Sequence, residues 1–150
     1  MDGARLSIDV GTARIGVARC DDEQLLVVPV ATIASGAEAV AEIVALCDLY
    51  RPAVIYVGYP ISLSGSVTNS TNMATSFAIE LSQQTEIPVR MLDERLSTAT
   101  ALGQLRQSGR NAKQGKSVID QAAAIVILEQ ALAIEKRSGN IAGTSIGESP

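Results

Sequence analysis

A chain of 150 residues, 47% of them hydrophobic and with a net charge of −4, is long enough for one domain with a substantial core. Its longest apolar stretch, Ala122 to Leu128, falls far short of the roughly 20 residues of a membrane span. No charged-then-apolar leader opens it, so a cytoplasmic protein without membrane contact is expected. Histidine is absent, which removes Ser-His-Asp triads, His-ligated zinc and imidazole bases. Carboxylates, a bound metal, Lys, Tyr, Ser or Cys must carry any catalysis. Cys20 and Cys47 match no metal or redox spacing and read as reduced thiols.

The elements begin with strands. Leu6, Ile8 and Val10 alternate with Arg5, Ser7 and Asp9, a period of two that puts Asp9 on the face opposite Ile8. "IGVARC" and "LLVVPVA" follow across short polar connections, which predicts a three-stranded antiparallel meander. Pro29 places the third strand at an edge or in a bulge. Ser35-x-x-Glu38 reads as a capping box, followed by Val40, Ile43, Val44 and Cys47 at helical spacing. That helix ends near Arg51-Pro52, because a residue before proline is pushed out of helical geometry. "AVIYVG" is a buried strand and "YPISLSGSVTNS" a loop. A helix from about Ser70 to Gln83 shows Met73, Phe77 and Leu81 on one face. The strand "VRML" runs into Asp93-Glu94. A short helix over about Ser97–Gln107, the loop "GRNAKQGK" and a last helix from Ser117 to about Lys136 complete the domain. Residues 137–150, rich in Gly and Ser, read as a disordered tail. The order predicts an α/β fold over 1–136, with a mixed five-stranded sheet and helices on both faces.

Three acidic positions stand out. Asp9 lies inside a core strand, where an unpaired charge costs several kcal/mol. Asp93-Glu94 close the last strand, at the carboxyl edge where ligands gather in α/β sheets. Asp120 shares a helix face with Ala123, Ala124, Ile127 and Ala131. Each also has a plain structural role. Asp9 could bond the Gly11 and Thr12 amides, Asp93 could cap the next helix, and Ser117-x-x-Asp120 is itself a capping box. Taken together, acids at strand ends and on an inward helix face point to a divalent cation, Mg²⁺ or Mn²⁺, held by oxygen ligands. From Arg90 to Lys116 the chain carries six basic residues against two acids. This local +4 suits a polyanion or, equally, a solvated helix face.

The motifs "IDVGTARIGVA", "VGYPISLSG", "LDERLSTATA" and "VIDQAAAIVILEQAL", in this order, resemble those of the YqgF/RuvX family over about residues 5 to 135. Its members have the RNase H-like fold and are described as Holliday-junction resolvases and as nucleases in 5′-end processing of pre-16S rRNA. The resemblance implies a magnesium- or manganese-dependent nuclease with Asp9, Glu94 and Asp120 as catalytic metal ligands, and two-metal hydrolysis of phosphodiesters. Arg14 and Arg95 match the family's basic motif positions. With Arg110, Lys113 and Lys116 they are expected to contact substrate phosphates. The family's loop usually reads close to "GLPLNMDG"; "GYPISLSG" here replaces its amide and acid with Ser62 and Ser64. Nucleic acid is the expected partner, for a monomer or a homodimer.

Two rivals remain. "DVGT" before a hairpin also opens the superfamily of sugar kinases, actin and heat-shock chaperones, whose members clamp ATP between two such domains and need more than twice this length. A non-catalytic nucleic-acid-binding or ribosome-assembly module would retain the acids for structure alone.

Overall fold

The structure, a computed structural model, describes residues 2–62, 64–96 and 113–146, with the backbone alone at 96 and 113–120. The meander forms as the alternation requires: β1 (Arg5–Val10), β2 (Arg14–Cys20) and β3 (Val27–Ala34) pair antiparallel. Helix α1 (Ala39–Tyr50), β4 (Val54–Tyr59), α2 (Asn69–Gln84) and β5 (Val89–Asp93) follow, and a 3₁₀ turn, Glu94–Leu96, leaves β5. The long helix α3 (Lys113–Ser138) and a short β6 (Thr144–Ser145) end the described chain. The strands are ordered β3-β2-β1-β4-β5-β6, with β4 parallel to both β1 and β5. The predicted α/β class holds, with six strands instead of five. The short helix expected over 97–107 lies outside the described residues.

Strand β1 is buried along its whole length, and its alternation divides the core. Leu6, Ile8 and Val10 join Val40 and Ile43 of α1 and Ala74, Ala78 and Leu81 of α2 on one face. On the other face Val54, Tyr56 and Leu92 pack against Ile127, Leu128, Ala131 and Leu132 of α3. Arg5, Ser7 and Asp9 therefore lie beneath α3. Cys20 and Cys47 are free and buried; burial pushes the Cys47 thiol up to about 11, which leaves it inert as a nucleophile.

Two local expectations are corrected. The Ser35 hydroxyl donates to the Gly11 carbonyl, 2.8 Å away, and Glu38 precedes α1 as its N-cap without a side-chain hydrogen bond. The capping box forms at α2 instead, where Thr68 and Thr71 each accept the other's backbone N–H, at 3.2 and 3.0 Å. Strand β3 starts at Val27 because the Asp21 carboxylate takes the Leu25 and Leu26 amides, at 2.7 and 3.2 Å. As Pro29 foretold, β3 is an edge strand and bulged: Ala31 pairs with Val17 and Pro29 with Ala18, leaving Val30 unmatched.

The disordered tail expected from residue 137 is not what the structure has as far as 146. Helix α3 runs to Ser138, and β6 pairs with β5 as Arg90↔Ser145 and Met91↔Thr144. The Arg90 guanidinium donates to the Ala142 carbonyl (2.9 Å), the Gly143 carbonyl (2.5 Å) and the Ser145 hydroxyl (2.8 Å). Gly143 has φ +71, and a Cβ there would stand 2.3 Å from the Met91 carbonyl oxygen. Its glycine is a requirement of close approach. Arg90→Ala is expected to cost about 1–3 kcal/mol locally, so that hydrogen exchange at the amides of 142–145 quickens while β1 keeps its protection.

At the same end of the sheet a buried polar cluster pins α3. The Arg5 side chain is fully buried and pairs with Glu135, Nη2 to Oε1 at 2.7 Å and Nε to Oε2 at 3.1 Å. The Tyr56 hydroxyl donates to Glu135 Oε2 at 2.5 Å and accepts the Ala142 N–H at 3.0 Å. Further along, the Ser7 hydroxyl donates to the Ala124 carbonyl at 2.6 Å.

Candidate active site

Asp9 is 3% exposed and sits one step beyond the Ile8–Val57 pair, so its neighbour across the parallel ladder is Gly58. Its partner in β2 is Gly16, which in turn pairs with Thr32 of β3. Adjacent strands lie about 4.8 Å apart, so one row of the sheet reads Thr32, Gly16, Asp9, Gly58, Leu92. Two residues in that row are glycines, which leaves room above the sheet on either side of Asp9. The Gly11 amide donates to the Arg14 carbonyl at 2.9 Å, so the tight turn after β1 is closed by backbone, and half of the turn role considered for Asp9 falls away.

Glu94 is 6% exposed. Its carboxylate reaches back over Gly58: a Cβ at that position would be 2.6 Å from Glu94 Oε2 and 2.7 Å from Ile127 Cδ1. Glu94 thus lies between the sheet and α3, beside the strand that carries Asp9. Asp93 is directed otherwise. Its Oδ1 accepts the Arg95 amide at 2.9 Å, and its Oδ2 pairs with Arg95 Nη2 at 2.7 Å. Burial would raise the Asp93 carboxyl, but the hydrogen bonds from Arg95 outweigh it and hold the carboxyl below the usual range. Alternation separates the two neighbouring acids as strand geometry demands. Asp93 caps the 3₁₀ turn, as its structural role anticipated, and Glu94 enters the core.

Asp120 is described by its backbone only. It lies within α3, whose start at Lys113 leaves Ser117 inside the helix rather than at its cap. The next residue, Gln121, donates to the Thr32 hydroxyl at 2.9 Å, so this part of α3 crosses the row that contains Asp9. Among the described residues no three metal-ligating side chains form a group; the third carboxylate of the expected set is the one outside them.

Arg14 opens β2 on the face of Asp9 and Gly16, by the same alternation that buries Ile15 opposite. Arg95 is half-exposed, held by Asp93, and its Nη1 reaches Gly65, where an added Cβ would be 3.2 Å away. Ser62, Ser64 and Ser66 of that loop link their hydroxyls at 2.8 and 3.1 Å. Lys113 and Lys116 lie in the first turn of α3, and Arg110 lies outside the described residues. The sequence reading missed Gly58, Arg5 and Glu135. The stripe Ala124, Ile127, Ala131 that singled out Asp120 leads straight on to Glu135, four residues further, so the signal was present.

A family model described as "RuvX: Holliday junction resolvase" matches residues 3–134. The chain belongs to the RuvX family. A protein of Clavibacter michiganensis subsp. michiganensis named "Putative pre-16S rRNA nuclease" is 46% identical over 147 residues, covering 96% of this chain and 91% of the relative. One of the same name from Streptomyces avermitilis is 43% identical over 147 residues, covering 96% and 94%. Among solved structures, "T. thermophilus RuvC in complex with Holliday junction substrate" matches with a TM-score of 0.61 at 12% identity, covering 93% of this chain and 98% of that one. That likeness establishes the RNase H-like fold. No helix among the described residues is long and apolar enough to cross a membrane.

Proposed function

We propose that this RuvX-family protein is a divalent-metal-dependent nuclease that hydrolyses phosphodiester bonds, with precursor 16S rRNA as its substrate and a pair of cations at its centre. The observation that carries the reading is the pair of buried carboxylates, Asp9 and Glu94, flanking Gly58 on the α3 face. Their donor set suits Mg²⁺ or Mn²⁺: hard oxygens, no sulfur or imidazole, and a cradle that a Cβ would fill. Asp9, Glu94 and Asp120 would hold the cations. A cation there supplies Lewis-acid polarisation of the phosphodiester and a nucleophile at neutral pH.

The chain's own residues do the rest. Buried between the sheet and α3, the Asp9 and Glu94 carboxylates are shielded from solvent, which strengthens their attraction for a cation. Arg14, Arg95, Arg110, Lys113 and Lys116 neutralise substrate phosphates, with Arg95 oriented by Asp93, so binding weakens as salt rises. The names of the relatives favour the rRNA precursor, and the name of the family model keeps the four-way DNA junction as the rival substrate.

The test is cleavage of a pre-16S 5′ fragment and of a four-way DNA junction, with Mg²⁺, with Mn²⁺ and after chelation. Metal-dependent cutting of the RNA in preference to the junction is expected. Preferential cutting of the junction would reassign the substrate. Binding of both with no cutting in any metal would leave a non-catalytic binding or ribosome-assembly module.

A further inference from the structure

We infer that Gly58 is a positioning residue for Glu94: its bare Cα is the seat on which the Glu94 carboxylate rests, and it fixes where that carboxylate stands beside Asp9. The inference rests on reading these two acids as cation ligands.

Glycine in a strand interior is unfavourable, so its presence in the middle of the sheet needs a cause. Conformation is not the cause. Gly3, Gly65 and Gly143 sit at φ +110, +89 and +71, where a side chain would be strained, but Gly58 is not among the positive-φ glycines. Space is the cause. A Cβ there would meet Glu94 Oε2 at 2.6 Å, Ile127 Cδ1 at 2.7 Å and Glu94 Cδ at 2.9 Å, all closer than real Cβ atoms approach. Elsewhere on this face β4 carries large residues: Val54 and Tyr56 are fully buried against α3. Along the described face of β4, residue 58 is where the layer is left open, and the space is taken by a carboxylate.

The backbone at Glu94 cannot easily yield instead. Asp93 Oδ1 holds the Arg95 amide, which fixes the 3₁₀ turn. Gly58 pairs with Leu92, so Glu94, two residues on, must reach back diagonally to lie over β4. The missing side chain at residue 58 opens that path beneath Ile127.

Four variants test this: Gly58→Ala, Glu94→Asp, and Gly58→Ala combined with either Glu94→Asp or Ile127→Val. Each is measured by thermal unfolding without metal and by Mn²⁺ titration followed by electron paramagnetic resonance. Gly58→Ala is expected to lower Tm by roughly 3–9 °C and to weaken Mn²⁺ binding by about tenfold or more. Shortening the acid draws its carboxylate back from the new methyl. The Gly58→Ala/Glu94→Asp protein should therefore bind Mn²⁺ more tightly than Gly58→Ala alone, and its metal-free Tm should exceed the sum of the single effects. Ile127→Val should recover Tm without recovering Mn²⁺ affinity.

Wild-type Mn²⁺ affinity in Gly58→Ala would overturn the inference, as would affinity restored by Ile127→Val as well as by Glu94→Asp. A wild-type protein that binds no Mn²⁺ would remove the metal reading alone. The metal-free unfolding then still decides the seat: relief of the Gly58→Ala loss by Glu94→Asp supports it, and strictly additive losses refute it.

Discussion

Asp9→Asn is expected to leave the chain folded and to slow cleavage by about a thousandfold or more, because cation-assisted chemistry draws several kcal/mol of transition-state charge stabilisation from its ligands. The amide has the carboxylate's size and keeps part of its hydrogen-bonding capacity, so the central strand loses little. What it lacks is the charge. Asp9 is 3% exposed, in a row of the sheet where the residues on either side are glycines. The Tm without metal should therefore stay close to that of the wild type. Circular dichroism and a cleavage assay on the preferred substrate check both halves. Cutting at the wild-type rate would exclude Asp9 from the chemistry.

The largest stability effect is expected at the opposite end of the same strand face. Glu135→Ala leaves the fully buried Arg5 guanidinium without its carboxylate, and removing one partner of a buried ion pair costs about 3–5 kcal/mol. A chemical-denaturation midpoint reads this directly. Replacing both partners, as in Arg5→Met with Glu135→Leu, should cost much less, since no charge is then stranded. A double variant as unstable as Glu135→Ala would show that packing, not charge, is responsible.

The pH dependence follows from the same cluster. Burial would raise the Glu135 carboxyl, but hydrogen bonds from Arg5 and Tyr56 outweigh it and hold it below its ordinary 4.5. Its contribution to stability is therefore present above pH 4.5 and lost as pH falls through the lower folded value. Burial, with the hydrogen bond to Glu135, holds the Tyr56 phenol above its ordinary 10.0, so stability declines as pH rises past that value.

Much of this was readable from local pattern. Alternation in β1 put Arg5, Ser7 and Asp9 on one face before any fold was known, and Pro29 marked the bulged edge. Strand alternation also required Asp93 and Glu94 to diverge, although only the 3₁₀ turn reveals which enters the core. The features that escaped depend on distant partners. Arg5 and Glu135 are 130 residues apart, and no local pattern couples them. Gly58 looked like any glycine at the end of a strand, because its neighbour Glu94 arrives from the next strand over. The tail misled for a related reason. Its glycines resemble those of flexible chain, but Gly143 is there to let the backbone close on Met91. Ser35-x-x-Glu38 carried the letters of a capping box, yet the Gly11 carbonyl claimed the hydroxyl first.

The attachment of α3 has one more consequence. The helix is anchored to the sheet at Glu135 by an ion pair that is neutral overall, and Glu94 lies under Ile127, eight residues back and about 12 Å along the helix axis. The fastening of α3 and the buried acids thus occupy separate stretches of one rod. The fold has its own internal counterion where it is fastened, so cations held at the proposed site would be exchangeable guests rather than struts.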